Sequence, residues 1–284
     1  MSATIIDGRA IASRMRHNLK LEVARLQTEG ITPGLAVLLV GNDPASHTYV
    51  NGKAKACSEV GIRSQVYRLP ETTTEEELLK RIDSLNNDPT IHGILVQLPL
   101  PDHISPDKVI TSISPDKDVD GFHPLNVGRL MTGQPSLIPC TPHGILHMIR
   151  TTGESIAGKH AVVVGRSNIV GKPMAMLLLQ EHATVTICHS KTKDLASITS
   201  QAELLVVACG QQELIGPEHV APGALVIDVG IHRTPSGKLV GDVRFEDVKE
   251  KAGYITPVPG GVGPMTITML LYNTLQAARK IEQG

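Results

Sequence analysis

His160-Ala-Val-Val-Val-Gly165-Arg-Ser-Asn-Ile-Val-Gly171 decides the fold of this 284-residue chain. His160 to Val164 is a buried-strand run, it breaks into a glycine loop, and Val170 to His182 then carries a helical pattern. At such a strand-to-helix turn, backbone N–H groups and the helix dipole hold a pyrophosphate. Ser167 stands where Gly-x-Gly-x-x-Gly has its second glycine, so a tight structural turn is the competing reading. The next strand, Thr184 to Cys188, ends in His189-Ser190-Lys191-Thr192-Lys193. An NAD site places a carboxylate there, about 20 residues past the glycines, to bind the ribose diol. None is present, and Arg166 sits on the glycine loop, a composition that suits a 2'-phosphate and hence NADP. Lys191 and Lys193 taken singly read as solvated loop residues.

Working outward, Leu204 to Ala208 and Ala224 to Val229 are further short apolar runs that complete a doubly wound sheet. Upstream, strand patterns at Leu35 to Val40, Ser64 to Leu69 and Gly93 to Leu98 alternate with helical patterns at Gly8 to about Gly30, Asp43 to Val60 and Glu75 to Leu85. That alternation requires a second parallel sheet. Pro106 to Pro142 is rich in Pro, Gly and Asp with weak periodicity, which places a domain boundary near Pro135 to Pro142. Met265 to Ile281 is a last helical pattern, expected to pack back on the first domain. The expected architecture is α/β with two doubly wound domains and a cleft between them. The first takes residues 1–138 plus the helix at about 266–284, and the second, residues 139–265, is a Rossmann-like NADP-binding domain.

Composition narrows the function. Lys plus Arg number 27 against 28 Asp plus Glu, so no global basic field exists to hold a nucleic-acid backbone. With no Trp, four Tyr and two Phe, base-stacking platforms and membrane-interface belts are excluded, and a Tyr in a polar setting carries weight. Cys57, Cys140, Cys188 and Cys209 show no Cys-x-x-Cys pair, and the 12 His show no ligand spacing. No metal is expected, and the cysteines read as core residues of a reducing compartment. Apolar runs fall short of the roughly 20 residues a membrane span needs, and Asp7 and Arg9 interrupt the place of a signal peptide. The expected location is the cytoplasm.

In the first domain Tyr49 and Lys53 are four apart on one helix face that Cys57 and Val60 continue. A lysine beside an apolar wall can serve in proton transfer, and the competing reading is a snorkelling lysine next to a packed tyrosine. Gln97 stands at the carboxyl end of a buried strand, where α/β sheets place ligand sites. It needs a partner there, either Lys53 or a substrate amide. Asp116-Lys-Asp118-Val-Asp120-Gly121 imitates a calcium loop, but the twelfth position is Val127 and Pro115 blocks an entering helix. Asp120 then reads either as a ligand for paired N–H donors or as a turn-stabilising residue. Pro257-Val-Pro-Gly-Gly-Val-Gly-Pro264 lets backbone approach a flat ligand, serves as an inter-domain elbow, or does both.

Five strings, Tyr49 to Cys57 (YVNGKAKAC), Gly93 to Pro101 (GILVQLPLP), Asp116 to Leu130 (DKDVDGFHPLNVGRL), Gly165 to Pro173 (GRSNIVGKP) and Pro257 to Thr266 (PVPGGVGPMT), are spread along the chain. They resemble the bifunctional methylenetetrahydrofolate dehydrogenase/cyclohydrolase family. The resemblance implies a homodimer that oxidises 5,10-methylenetetrahydrofolate with NADP and hydrolyses the methenyl product to 10-formyltetrahydrofolate in one-carbon metabolism. It implies a folate site of Tyr49, Lys53, Gln97 and Asp120, with Pro259, Gly260 and Gly261 also touching folate. Tyr49 would stack on the folate, Asp120 would hold the pterin amine and ring N–H, and Gln97 would orient Lys53. The implied cofactor contacts are Gly165, Arg166, Ser167, Ser190 and Ile231.

Overall fold

The computed structural model describes residues 2–283. In chain order its elements are β1 (Thr4–Ile5), α1 (Gly8–Thr28), β2 (Gly34–Val40), α2 (Pro44–Val60), β3 (Arg63–Leu69), α3 (Glu75–Asn86) and β4 (Gly93–Val96). Three helices follow, α4 (Pro106–Ser112), α5 (Pro124–Met131) and α6 (Cys140–Thr151). The chain continues through β5 (His160–Val164), α7 (Gly171–Gln180), β6 (Thr184–Cys188), α8 (Leu195–Thr199), β7 (Leu204–Val207) and β8 (Leu225–Asp228). It ends with β9 (His232–Arg233), β10 (Leu239–Val240), α9 (Phe245–Val248), β11 (Tyr254–Ile255) and α10 (Val262–Gln283).

The chain forms two compact units. Arg14–Cys140 with the residues from Ile267 onward make one, and the residues up to Ser13 with Thr141–Thr266 make the other. In the first, three parallel strands lie in the order β3-β2-β4. β2 is buried along its whole length on both faces, as its unbroken apolar run requires. Ala36, Leu38 and Val40 face a core with Leu78, Ile82 and Leu85 of α3 and Val109 of α4. In the second unit a six-stranded sheet has the order β1-β11-β8-β7-β5-β6, every pair parallel. The chain leaves β5 for β6 on one side and returns to β7 on the other. The carboxyl ends of β5 and β7 therefore flank a switch point, where doubly wound sheets bind ligands.

Two expectations change. The Pro-rich stretch from Pro106 is not loop throughout but holds α4, α5 and the start of α6. Pro106 and Pro124 occupy first-turn positions of α4 and α5, where the missing N–H costs nothing. Ser105 Oγ and His123 Nδ1 cap those helices by accepting from Lys108 N and Leu125 N. The residues up to Ser13, expected with the first domain, lie instead with the six-stranded unit, because β1 adds to β11 at the sheet edge. Among the described residues no helix is long and apolar enough to cross a membrane. All four cysteines are free thiols.

Candidate active site

In the three-stranded unit, Gly41, at φ 86°, turns the chain out of β2. Asp43 then caps α2 by accepting from Ser46 N at 2.7 Å, with Pro44 in the first turn. This places Tyr49 and Lys53 in the second and third turns of the helix. Tyr49 is 47% exposed, so its ring is available for stacking rather than committed to a core. Lys53 is half-buried, and its Nζ donates to Gln97 Oε1 at 3.0 Å. Gln97 Nε2 donates to Leu98 O at 2.7 Å, and its backbone N donates to Leu38 O. Since an ammonium only donates and a carbonyl only accepts, this network sets the amide orientation of Gln97. Of the two partners open for Gln97, Lys53 is the one the fold supplies. Cys57, one turn on, is buried, and burial pushes its thiol up to about 12, which leaves it inert at neutral pH.

The three aspartates of residues 116–120 do different work. Asp116 pairs on the surface with Lys280 at 2.6 Å. Asp118 is buried and accepts from Phe122 N, His123 N and Asn126 Nδ2, at 3.2, 2.8 and 2.9 Å, so it is the turn-stabilising residue. Ile94 pairs with Asp118 as a parallel bridge, which extends the sheet beside β4 and delivers Asp120 near the strand ends. Among the described residues no hydrogen-bond donor reaches the Asp120 carboxylate. Burial raises its pKa to about 6, with the Lys53 charge pulling down and Asp118 pushing up.

The segment around Asp120 is pinned. Gly121 has φ 75°, and a Cβ there would stand 2.5 Å from Pro139 N. Val119 O accepts from Asn273 Nδ2 at 2.9 Å and from Cys140 Sγ at 3.2 Å, while Asn273 Nδ2 also reaches Ile138 O at 2.8 Å. Asp118 and Asn273 were not singled out from the sequence. The available signal for Asn273 was an amide among the apolar residues of Leu270 to Leu275, which has to find partners when buried.

The raised pKa makes a stability prediction. A carboxyl with a folded pKa near 6 against an unfolded value near 3.9 favours the folded state only while protonated. That contribution is complete below about pH 3.9 and is lost as pH rises through 6. Asp120→Asn is therefore expected to gain stability relative to the unmodified chain between pH 4 and pH 7. The gain is about 1–2 kcal/mol after allowance for partial exposure. Denaturant midpoints of both proteins across that range test it, and a constant difference would refute it.

In the six-stranded unit, β5 enters the glycine loop through Gly165, at φ 128°, where a Cβ would lie 2.1 Å from Ala208 O. A Cβ on Gly171 would lie 2.2 Å from Gly165 O, so the loop folds tightly onto the start of α7. Ser167 Oγ accepts from Val170 N and Gly171 N at 3.1 and 3.3 Å, which ties the loop to the start of α7, whose N-cap position is Val170. A cavity of about 420 Å³ opens here, lined by Gly165, Arg166 and Ser167 on one side and by His189, Ser190 and Cys209 from the ends of β6 and β7. The turn after β6 is set by His189 N donating to Thr192 Oγ1 and Lys191 N donating to His189 Nδ1. Lys191 and Lys193 are exposed. Ile231 follows β8 in the same unit, 48% exposed, and is not among the residues lining this cavity. Pro259, Gly260 and Gly261 lie against the start of α1, where Gly260 O accepts from Arg9 N and a Cβ on Gly8 would meet Gly261 O. Among the described residues no cluster of His, Cys, Asp or Glu could hold a metal ion.

Residues 6–120 match the family profile of the tetrahydrofolate dehydrogenase/cyclohydrolase catalytic domain, and residues 139–282 match that of the same family's NAD(P)-binding domain. The chain belongs to the tetrahydrofolate dehydrogenase/cyclohydrolase family. The bifunctional protein FolD of Geobacillus thermodenitrificans is 66% identical over 281 residues, covering 99% of each chain. The crystal structure of the bifunctional dehydrogenase/cyclohydrolase from Campylobacter jejuni is 53% identical with a TM-score of 0.97, covering 98% of this chain and 99% of that one. The Trypanosoma brucei N5,N10-methylenetetrahydrofolate dehydrogenase-cyclohydrolase, solved with NADP cofactor and an inhibitor, is 42% identical with a TM-score of 0.96 over the full length of both. Within the family fold, the structure brings Lys53, Gln97 and Asp120 together in one unit and Gly165, Arg166, Ser167 and Ser190 together in the other.

Proposed function

We infer that this chain oxidises 5,10-methylenetetrahydrofolate to the 5,10-methenyl compound with NADP and then hydrolyses that product to 10-formyltetrahydrofolate. The observation that carries the reading is the Lys53–Gln97 hydrogen bond at the carboxyl ends of β2 and β4, with Asp120 within the field of the Lys53 charge. Asp120, an acceptor without a protein donor, suits the adjacent amine and ring N–H of a pterin. Tyr49 offers its exposed ring for stacking, and we assign Pro259, Gly260 and Gly261 to folate contact as well.

The NADP-side residues fit their group. Gly165 gives the close backbone approach that a Cβ would block, and the loop amides and the start of α7 suit a pyrophosphate. Arg166 and Ser190 would supply donors to a 2'-phosphate, and Ile231 an apolar contact. When bound, NADP supplies the acceptor for the hydride leaving the methylene carbon. In hydrolysis, water adds to the methenyl carbon and loses a proton. The bond from that carbon to N5 then breaks as the new hydroxyl gives up its proton and N5 takes one, which leaves the formyl group on N10. Lys53, held by Gln97, is the ionisable group we assign to these transfers.

Purified protein given NADP and methylenetetrahydrofolate is expected to produce NADPH absorbance, with methenyl absorbance that rises and decays. Absence of both would end the reading. Arg166→Ala is expected to raise the Michaelis constant for NADP by about tenfold to a hundredfold, the worth of one charged hydrogen bond, with little effect on NAD. Equal effects on both nucleotides would show that Arg166 does not read the phosphate. We further propose a homodimer, and a cytoplasmic location that agrees with four free thiols.

A further inference from the structure

Two buried carboxylates hold the loops at the carboxyl end of the six-stranded sheet, and the function described above uses neither. Asp228, the last residue of β8, accepts at Oδ1 from Gly230 N and Asp242 N, at 3.0 and 2.9 Å, and at Oδ2 from Val243 N at 3.0 Å. Asp242 has no exposed surface. Its Oδ2 accepts from Cys209 N at 2.8 Å and Gly210 N at 2.9 Å, with the Cys209 thiol at 3.4 Å, and its Oδ1 lies 2.7 Å from His232 Nε2. The backbone is built around these groups. A Cβ on Gly230 would lie 2.3 Å from Asp242 Oδ1, and one on Gly241 would lie 1.8 Å from Asp228 Oδ2.

Asp242 is tied to the cofactor side of the molecule. Cys209 lines the cavity beside Gly165 of the glycine loop, and its neighbour Ala208 is the residue that a Cβ on Gly165 would strike. His232 directly follows Ile231. One carboxylate therefore fastens the segment after β7 to the segment after β8. A carboxylate that accepts two backbone N–H groups orients His232 with Nε2–H toward it.

We propose that Asp242, braced by His232, is a positioning residue for NADP: it fixes the Cys209–Gly210 wall of the cofactor cavity. This rests on the assignment of NADP to that cavity. Removing the carboxylate leaves two amides unpaired at the wall, which then relaxes away from the nucleotide.

The test is direct NADP titration of the full chain by calorimetry, with hydrogen exchange at the Cys209 and Gly210 amides. The cyclohydrolase rate, which needs no cofactor, serves as the control. Asp242→Ala is expected to weaken NADP binding at least tenfold and to speed exchange at both amides, with the cyclohydrolase rate held within twofold. Asp242→Asn, of the same size, keeps one oxygen for the amides without the charge and is expected to weaken binding several-fold at an unchanged unfolding midpoint. His232→Gln, whose amide can donate where Nε2 does, should bind better than His232→Ala. If folded Asp242→Asn binds NADP and exchanges at both amides like the unmodified chain, the proposal is overturned. If both Asp242 variants lose cyclohydrolase and melt early, Asp242 serves the fold alone, and the proposal is overturned again. If the unmodified chain does not bind NADP, the assignment of the cavity itself fails.

Discussion

Lys53→Met is expected to abolish the cyclohydrolase, a loss of at least about a hundredfold, while dehydrogenase activity remains measurable. Methionine matches the length of lysine but cannot move a proton. Hydride transfer depends mainly on alignment of the methylene carbon. Hydrolysis also requires a proton to leave the attacking water and another to reach N5, and of Tyr49, Lys53 and Gln97 we assign that exchange to the lysine. The substitution has a second effect that must be separated from the first. The Lys53 charge holds the Asp120 pKa down, so its loss moves that pKa above about 6 and leaves more neutral Asp120 near pH 6–7. Folate affinity should therefore fall more at pH 6 than at pH 8, and the chemical step is best compared at pH 8, where more of the Asp120 carboxyl is ionised. Initial rates on the methylene and methenyl substrates, with folate binding measured separately, make the comparison. Near-normal hydrolysis by Lys53→Met would remove the lysine from proton transfer and require a water relay or assistance from the substrate.

Gly165→Ala should cut dehydrogenase turnover at fixed NADP by about a hundredfold or more, through lost nucleotide affinity, with hydrolysis of the methenyl substrate retained. The added Cβ would lie 2.1 Å from Ala208 O, and both groups are backbone at the ends of paired strands. Ala208 N is itself bonded to Val164 O at 2.7 Å, so neither side can yield by rotating a side chain. A φ of 128° adds strain to any residue with a Cβ. The loop must shift, and a displacement of about 1 Å costs on the order of a hundredfold where alignment sets the rate. Gly223→Ala, in the same unit but not among the residues lining the cofactor cavity, is the control, since its φ is 77° and nothing lies within 4 Å of the new Cβ. It carries the conformational strain without the clash. Unchanged NADP affinity in Gly165→Ala would show that the glycine loop does not approach the nucleotide.

What the sequence determined by itself was set by short-range physics. The strand, glycine turn and helix from His160 onward, the fully buried β2 and the helix face shared by Tyr49 and Lys53 follow from side-chain periodicity and backbone sterics over a dozen residues. The missing carboxylate after β6, which argues for a 2'-phosphate, is local in the same sense. The Pro-rich middle was read less well, because Pro106 and Pro124 start helices and a count of prolines does not separate that use from a loop. The two-residue strands β1 and β11 carry no periodicity, and only the pairing of β11 with β8 and of β1 with β11 makes them part of a sheet. Spacing alone left open whether Asp120 binds a ligand or stabilises the turn, and it was the family resemblance that put it in the folate site. Three carboxylates at alternate positions look alike until tertiary contacts give one a surface lysine, one a set of turn amides and one no donor. Asn273, Asp228 and Asp242 are the strongest case: each bonds to groups from about 14 to more than 100 residues away in sequence or across a sheet end, as with Asn273 on Val119. A buried polar group must find its partner wherever the chain brings one, so its role is decided by the fold and not by its neighbours in sequence.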